Sequence, residues 1–210
     1  YPSVLYDDEY KMWYTGYDDW TAAVGWATPA DGVSWQKYPG NPVLSAGSAG
    51  SWDSQHVHVS SVITEGSTYH MWYWASDDSH NTAIGHATSP DGINWTKDPA
   101  NPVLTTGPSG SWDSKDVRDP SVVRVGTTFE MWYEGRDEDN TPAIGHAVST
   151  NGPSGAVWEK DGADAVLELG KEGAWDEFWL GPGSVVYDGG ASTYRMWYTG
   201  CDATLCSIGY

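Results

Sequence analysis

The tripeptide Met-Trp-Tyr occurs four times in this chain of 210 residues. The spacing is nearly constant, because successive tryptophans of the motif lie 59, 60 and 65 residues apart, at Trp13, Trp72, Trp132 and Trp197. A fixed period longer than about 40 residues, carried by aromatic and turn residues, is typical of a propeller or an array rather than of one irregular core. Residues that recur at one phase are therefore expected to be structural, and residues present in a single copy become candidates for chemistry.

Other markers keep the same period and predict the secondary structure. Asp-Gly turns with a following Trp occur at residues 31–35 and 91–95, and Asn-Pro-Val-Leu occurs at 41–44 and 101–104. An Asp-Gly pair between apolar runs is a strong hairpin signal, and no window shows a sustained helical period. The sequence predicts an all-β fold, a β-propeller of four-stranded antiparallel blades. We expect a single domain with repeats at about 1–58, 59–118, 119–181 and 182–210.

The fourth repeat ends after its third predicted strand, at residues 207–210. Three interpretations remain open: a four-bladed ring with weak closure, part of a five-bladed ring, or an edge completed by another chain. The third interpretation predicts self-association through the incomplete last blade, because an unpaired strand edge invites strand addition.

The composition restricts the classes of partner. A formal net charge of −19 argues against nucleic acid and against anionic membranes. No apolar stretch is long enough for membrane insertion, and no signal peptide is visible in this chain. Abundant Trp and Tyr together with few Lys fit an extracellular or cell-surface location. Cys201 and Cys206 stand at the two ends of one predicted hairpin loop, where either a disulfide or two reduced thiols are compatible with the spacing.

The candidate binding residues cluster at one phase of the repeat. In a propeller, the start of each innermost strand faces the mouth, which is the end of the central channel, and this step is the most variable and most polar part of the repeat. Imidazole, carboxylate, guanidinium and indole groups at this step can hydrogen-bond to a sugar and stack on it. The off-phase Trp74 is a further stacking candidate. The predicted substrate-binding residues are Tyr1, His56, His58, Trp74, Arg118 and Trp179.

The Met-Trp-Tyr strands, the Asp-Gly turns and above all Arg118-Asp119-Pro120 resemble the arabinanase, levansucrase and invertase group of glycosidases, a family 43-like superfamily. The resemblance implies a five-bladed propeller with three acidic residues: an Asp on the first innermost strand, an Asp in Arg-Asp-Pro and a Glu in Glu-Gly-Pro. Asp119 matches the second. Tyr1 stands at the first position, and Leu180 stands where the Glu is expected.

This departure affects the expected activity. Glycoside hydrolysis commonly uses two carboxyl groups, about 5–5.5 Å apart for retention or roughly 6.5–9.5 Å for inversion. The leading interpretation is therefore a carbohydrate-binding or structural module related to glycosidases, with an oligo- or polysaccharide as partner. One alternative is an active glycoside hydrolase that uses Asp119 with Asp116 or Glu177 as the second carboxylate. Another is a self-assembling scaffold.

No cofactor is expected. Acidic residues follow each Met-Trp-Tyr strand, in loops such as the one around Asp77, and their oxygens would suit Ca²⁺. Asp in such loops also commonly binds its own backbone, which is the interpretation we favour. His56 and His58 share a strand face but lack an assignable third zinc ligand.

Overall fold

Short antiparallel sheets, each built from one sequence repeat, make up the fold, and a parallel bridge between Ala22 and His56 joins the first two. The computed structural model describes residues 2–29, 31, 33–153 and 158–210. Blade 1 consists of β1 (Pro2–Asp7), β2 (Glu9–Asp18), β3 (Thr21–Pro29) and β4 (Trp35–Lys37). Blade 2 consists of β5 (His56–Glu65), β6 (Thr68–Ser76), β7 (Thr82–Ser89) and an outer strand in two pieces, β8 (Thr96–Lys97) and β9 (Leu104–Thr105).

Blades 3 and 4 repeat this plan. Blade 3 consists of β10 (Asp116–Val125), β11 (Thr128–Arg136), β12 (Pro142–Ser149) and β13 (Glu159–Lys160), and blade 4 of β14 (Trp179–Asp188), β15 (Thr193–Cys201) and β16 (Cys206–Gly209). The predicted all-β propeller is confirmed. The innermost strands of blades 2 to 4 each begin three residues before the repeat boundaries taken from the sequence. Among the described residues there is no helix, and hence none that could cross a membrane.

The recurring Ser-Val step joins each innermost strand to the next one. The hydroxyl of Ser3 accepts a hydrogen bond from the amide of Val62 at 3.0 Å. Ser61 does the same for Val122, and Ser121 for Val185, both at 3.1 Å. One small hydroxyl per blade thus satisfies a buried backbone donor of the neighbouring blade, which explains why this step recurs.

The Met-Trp-Tyr tryptophans fill the space between blades. Trp13 is fully buried, and its indole nitrogen donates to the carbonyl oxygen of Gly92 at 2.7 Å. Gly92 has a φ of +76°, and a Cβ there would lie 2.8 Å from the Trp13 ring, so only glycine fits this turn. Trp95 meets Trp13 edge to face with ring centroids 6.1 Å apart, and Trp158 meets Trp72 in the same way at 6.0 Å. The Asp-Gly turn of one blade therefore covers the tryptophan of the blade before it.

Two hairpin loops show how the cysteines and one acidic loop residue are bonded. Cys201 and Cys206 form a disulfide across the β15–β16 hairpin. In the β6–β7 loop, the carboxylate of Asp77 accepts hydrogen bonds from the amides of Ser79 and Asn81 at 2.8 and 2.9 Å. The acidic residue there binds its own loop, as expected for an Asx turn.

Candidate functional site

The backbone is irregular where the third innermost strand meets the mouth. The antiparallel register of β10 with β11 shifts between Arg118 and Ser121, and Asp119 within this bulge has a φ of +47°. A left-handed conformation in a residue other than glycine costs of order 1–3 kcal/mol and is concentrated at functional sites. Val59 and Pro182, which stand at the same phase in blades 2 and 4, do not have a positive φ. The strained backbone therefore lies at Asp119, the same residue that departs from the repeat in the sequence.

A tryptophan from the neighbouring blade holds the Asp119 carboxyl group. The indole nitrogen of Trp74, on β6, donates to Oδ1 of Asp119 at 2.9 Å. The His58 imidazole stacks on the Trp74 ring with centroids 3.9 Å apart and planes 2° from parallel. The Arg118 guanidinium lies 5.1 Å from the centroid of the same ring, within the range of a cation–π contact. Three of the predicted binding residues therefore contact one another beside Asp119.

These groups border two cavities. The central cavity, about 580 Å³, runs along the innermost strands of all four blades and is lined in part by Asp119. A second cavity of about 390 Å³, here called the histidine pocket, is lined by Tyr17, His56, His58, Trp74, Ser76, His80, Thr82 and Arg118. The Nε atom of Arg118 and the hydroxyl of Ser76 are buried and have no hydrogen-bond partner among the described residues. The pocket therefore offers ring faces together with unused polar groups.

Two histidines of this pocket, His56 and His58, have lowered pKa values. Burial lowers the pKa of His58 to about 4, and the neighbouring His56 adds to the effect. Burial also lowers the pKa of His56, with His80 contributing, and Nδ1 of His56 accepts the amide hydrogen of Ala22 at 3.2 Å. Arg118 is already paired with the Asp116 carboxylate through Nη2 at 3.0 Å. The pocket is thus suited to an uncharged polar ligand such as a sugar.

The two carboxylates proposed as partners of Asp119 have other contacts. Asp116 is buried and accepts hydrogen bonds from the Thr82 hydroxyl and from Arg118, both at 3.0 Å. Glu177 accepts a hydrogen bond from the Gly173 amide, within the loop before β14. Both carboxylates therefore support local structure, and neither has a recorded contact with Asp119 in the described part of the chain. The remaining predicted binding residue of blade 1, Tyr1, lies outside the described residues.

A glutamate that the sequence interpretation missed lies beside the mouth. Glu134 on β11 pairs with Arg118 in the register of the sheet and is only 1% exposed. Its Oε1 accepts a hydrogen bond from Nε of Arg136 at 2.7 Å. Its Oε2 and the Trp179 ring each lie 2.9 Å from the point where a Cβ of residue 181 would stand. Gly181 therefore leaves space for both side chains at the border of blades 3 and 4, which places Trp179 near Glu134.

Asp119 and Glu134 share an electrostatic environment. Burial raises the pKa of Asp119, and the Trp74 hydrogen bond and the charges of Arg118 and Arg136 counteract part of that rise. Burial raises the pKa of Glu134 to about 7; Arg136 opposes the rise, and the charge of Asp119 adds to it. The same two guanidinium groups act on both carboxyl groups. We call Asp119, Glu134, Arg118 and Arg136 the carboxyl cluster.

The sequence does carry a signal for Glu134. The residue after Met-Trp-Tyr is Thr15, Trp74, Glu134 or Thr199 in the four copies. This position is as variable as the start of the innermost strand, and the sheet register pairs the two positions, as in His58 with Trp74. Within the described ranges, no group of three or more His, Cys, Asp or Glu side chains is arranged to hold a metal ion.

Comparison with known proteins places the chain in a family. The sequence profile described as beta-1,4-mannooligosaccharide phosphorylase, family 130 of the glycoside hydrolases, matches residues 52–163, which is just over half of the chain. The chain belongs to glycoside hydrolase family 130. The family 130 match covers the carboxyl cluster and most of the histidine pocket. The resemblance to propeller glycosidases is thus confirmed at the level of the wider group.

Two sequence relatives are informative. An uncharacterized protein of Mycobacterium tuberculosis (strain CDC 1551 / Oshkosh) is 27% identical over 180 residues, which cover 80% of this chain and 56% of that protein. The beta-1,2-mannobiose phosphorylase of Thermoanaerobacter sp. (strain X514) is 29% identical over 107 residues, which cover 45% of this chain and 34% of that enzyme. The chain spans about half the length of the first of these relatives.

Solved structures share the fold. The beta-1,2-mannobiose phosphorylase from Listeria innocua, in complex with beta-1,2-mannobiose, matches with a TM-score of 0.71 at 18% identity, over 99% of this chain and 55% of that one. Fructan 1-exohydrolase IIa from Cichorium intybus matches with a TM-score of 0.70 at 21% identity, over 99% of this chain and 40% of that one. At these identities the likeness extends to the propeller alone.

Proposed function

We propose that this protein cleaves mannosidic linkages in oligosaccharides at the mouth of the propeller, with Asp119 protonating the leaving sugar oxygen. The observation that carries the proposal is the state of Asp119: a strained backbone in the third innermost strand, a carboxyl oxygen held by Trp74, and burial that raises its pKa. A general acid needs a carboxyl group that keeps its proton near the working pH. The mannosidic linkage is inferred from the family description and from the names of the phosphorylase relatives.

The chemistry needs few groups from the protein. The bond between the anomeric carbon and the bridging oxygen breaks while the Asp119 proton passes to that oxygen. The new bond to the anomeric carbon forms with an oxygen of inorganic phosphate, and the Asp119 carboxylate then takes up a proton from solvent. When phosphate is the incoming nucleophile, one carboxylic acid is sufficient, so the lack of a Glu at position 180 does not argue against cleavage.

The sugar is proposed to bind against the aromatic and polar groups next to Asp119. The stacked pair of His58 and Trp74 leads from Asp119 into the histidine pocket, and Trp179 stands on the other side of the carboxyl cluster. Indole and imidazole faces bind pyranose rings by stacking, while neutral imidazoles and hydroxyl groups hydrogen-bond to sugar hydroxyls.

The first test measures cleavage directly. The purified chain is incubated with beta-1,2-mannobiose and with beta-1,4-mannooligosaccharides, with and without inorganic phosphate, and released mannose and mannose 1-phosphate are quantified. Asp119→Asn is the matched variant, because asparagine tolerates a positive φ and still accepts the Trp74 hydrogen bond. We expect this variant to lose activity by about 100-fold or more, the scale of general acid catalysis. Release that is equal in the two proteins would refute the role of Asp119.

A second candidate function is glycan binding without cleavage. It is favoured by the structural contacts of Asp116 and Glu177, which leave neither free to act as the second carboxylate expected for hydrolysis. Calorimetric binding of the same oligosaccharides without any product would support this function.

The location of the protein is part of the proposal. An extracellular or cell-surface site is supported by the disulfide between Cys201 and Cys206, since disulfides persist in oxidising compartments.

A further inference from the structure

We propose that Glu134 is a positioning residue of the cleavage site: it is buried, anchored by Arg136 and placed beside Arg118, and its carboxyl group ionises as a coupled pair with that of Asp119. This inference rests on the proposed function of Asp119 and concerns a residue that itself makes no contact with substrate.

The first argument is geometric. Glu134 is 1% exposed, whereas Asp119 is half-buried and borders the central cavity. A ligand in that cavity reaches Asp119 but not Glu134. Glu134 nevertheless lies within the same cluster, because it pairs with Arg118 across the sheet and Arg118 directly precedes Asp119 in the chain. It therefore acts on the reaction through its neighbours.

The second argument concerns what fixes the carboxyl group. Arg136 binds Oε1 through Nε at 2.7 Å, and Gly181 leaves room for Oε2 where any other residue would place a Cβ 2.9 Å away. A buried carboxylate without a partner would be strongly destabilising. Because the Arg136 guanidinium offsets part of the cost of burying the charge, Glu134 can exist in both its neutral and its ionised form. At this phase the other described blades carry Thr15, Trp74 and Thr199, so the scaffold does not require an acid here.

The third argument is the coupling of the two acids. Two carboxyl groups in one low-dielectric site ionise in two steps that belong to the pair. The charged groups that act on Glu134 are Asp119 and Arg118 on β10 and Arg136 on β11, and on β14 Gly181 and the Trp179 ring lie beside it. Between the two ionisation steps the pair holds one proton, which is available to Asp119. Burial raises the pKa of Glu134 to about 7, and once both carboxyl groups are ionised no proton remains for catalysis.

The structure supplies a direct reporter for this titration. The Trp74 indole N–H donates to Asp119, so its proton resonance responds to each change of charge in the cluster. We expect the Trp74 indole signal in ¹H–¹⁵N spectra, assigned with Trp74→Phe, to show an inflection near pH 7 in the wild-type protein. Glu134→Gln keeps an acceptor for Arg136 but removes the charge, and should remove the inflection near pH 7, so that only the ionisation of Asp119, about one pH unit lower, is seen. Arg136→Gln should move the inflection to higher pH, since the guanidinium favours the ionised form of Glu134.

The matched control is Glu130→Gln. Glu130 lies on the same strand but faces His146 and Tyr194, so the inflection should persist in this variant. In Glu134→Gln the alkaline limb of the plot of cleavage rate against pH should move to lower pH by on the order of one unit, because the charge interaction between the two acids is lost.

The outcomes separate the two proposals. If the wild-type protein cleaves no mannoside, the proposed function fails, while the Trp74 titration still decides the pairing of Asp119 with Glu134. If cleavage depends on Asp119 but the inflection near pH 7 survives in Glu134→Gln, or is absent from the wild type, only the role of Glu134 is overturned.

Discussion

At the scale of single residues, Trp74 has two roles that one substitution can separate. Its ring stacks on His58, and its indole nitrogen holds Asp119. Trp74→Phe keeps an aromatic face but removes the donor, and a hydrogen bond to an ionisable group contributes about 1.5–3 kcal/mol. We expect kcat to fall by about tenfold or more with a small change in KM, because the proton donor is misplaced while sugar stacking remains. Trp20→Phe, at an 85% exposed tryptophan, is the control; a loss confined to KM would contradict this assignment.

Asp119 and Glu134 differ in how far the sequence could predict them as site residues. Asp119 could be found because it breaks the repeat at a position known to face the channel. Glu134 could not be found in the same way, because only the register of β10 with β11 brings it beside Arg118. Its protonation also depends on burial by β14, a strand that starts 45 residues further along the chain. A periodic pattern predicts the position of a residue within the repeat. It does not predict how deeply the side chain is buried or which residues of the next blade contact it.

At the scale of elements, the Ser-Val step predicts the strength of the blade borders. Ser61→Ala removes the acceptor of the Val122 amide and leaves a buried donor unsatisfied, which costs about 1–3 kcal/mol. Ser184→Ala is the matched control, because Ser184 has the same phase but is exposed in the described structure. Urea unfolding should therefore show a lower midpoint for the first variant and little change for the second. Equal effects would mean that the hydroxyl stabilises its own strand rather than the border.

A buried histidine pair makes the second blade sensitive to acid. Nε2 of His86, on β7, lies 3.0 Å from Nδ1 of His70 on β6, and its own Nδ1 lies 3.2 Å from Asp98. Burial lowers the pKa of His86 to about 4, an effect that Asp98 opposes and His70 reinforces. Because this lies below the usual 6.5, the unfolded chain binds the proton first as the pH falls. Stability is therefore present above about pH 6.5 and is lost towards pH 4.

This acid sensitivity can be measured as a slope. The loss attributable to His86 is on the order of 3 kcal/mol between pH 6.5 and 4. His86→Gln should flatten the dependence of the free energy of unfolding on pH in that window, whatever its effect at pH 7. His80→Gln, in the exposed β6–β7 loop, controls for the removal of an imidazole as such. An unchanged slope in His86→Gln would assign the acid transition to other groups.

At the scale of the whole molecule, the repeat predicted the architecture because several recurring residues, Trp13 and Ser61 among them, form contacts between neighbouring blades. Trp13 needs Gly92 and Trp95 of the next blade, and Ser61 needs the backbone of β10. Contacts that repeat from blade to blade give rise to the period in the sequence, and the blades could therefore be predicted from the sequence alone. The proposed cleavage of mannosides could not be inferred from the repeat, since a propeller supports many chemistries and only the non-repeating residues decide among them.

Blade 4 exposes an apolar face whose counterparts in blades 1 and 2 are covered by the following blade. Trp13 and Trp72 are covered by the following blade, whereas Trp197 at the same phase is 40% exposed. It is accompanied by Ile208, which is 75% exposed, and by the Tyr210 ring, whose centroid lies 5.4 Å from that of Trp197. A contiguous exposed apolar face is typical of an interaction site, and we propose a second copy of the 210-residue chain as its partner. We expect sedimentation at micromolar concentrations to show self-association that increases as added salt screens the charge of −19.

A pair of substitutions tests whether blade 4 is the contact. Trp197→Glu places a charge in the centre of the exposed face and should give a monomer at concentrations where the parent chain associates. Trp20→Glu removes an equally apolar and more exposed side chain from the β2–β3 loop of blade 1, and should leave association unchanged. If both variants reduce association alike, the cause is general surface hydrophobicity, and the specific role of the blade 4 face is refuted. A parent chain that stays monomeric at all salt concentrations would show that this face is tolerated in water without a partner.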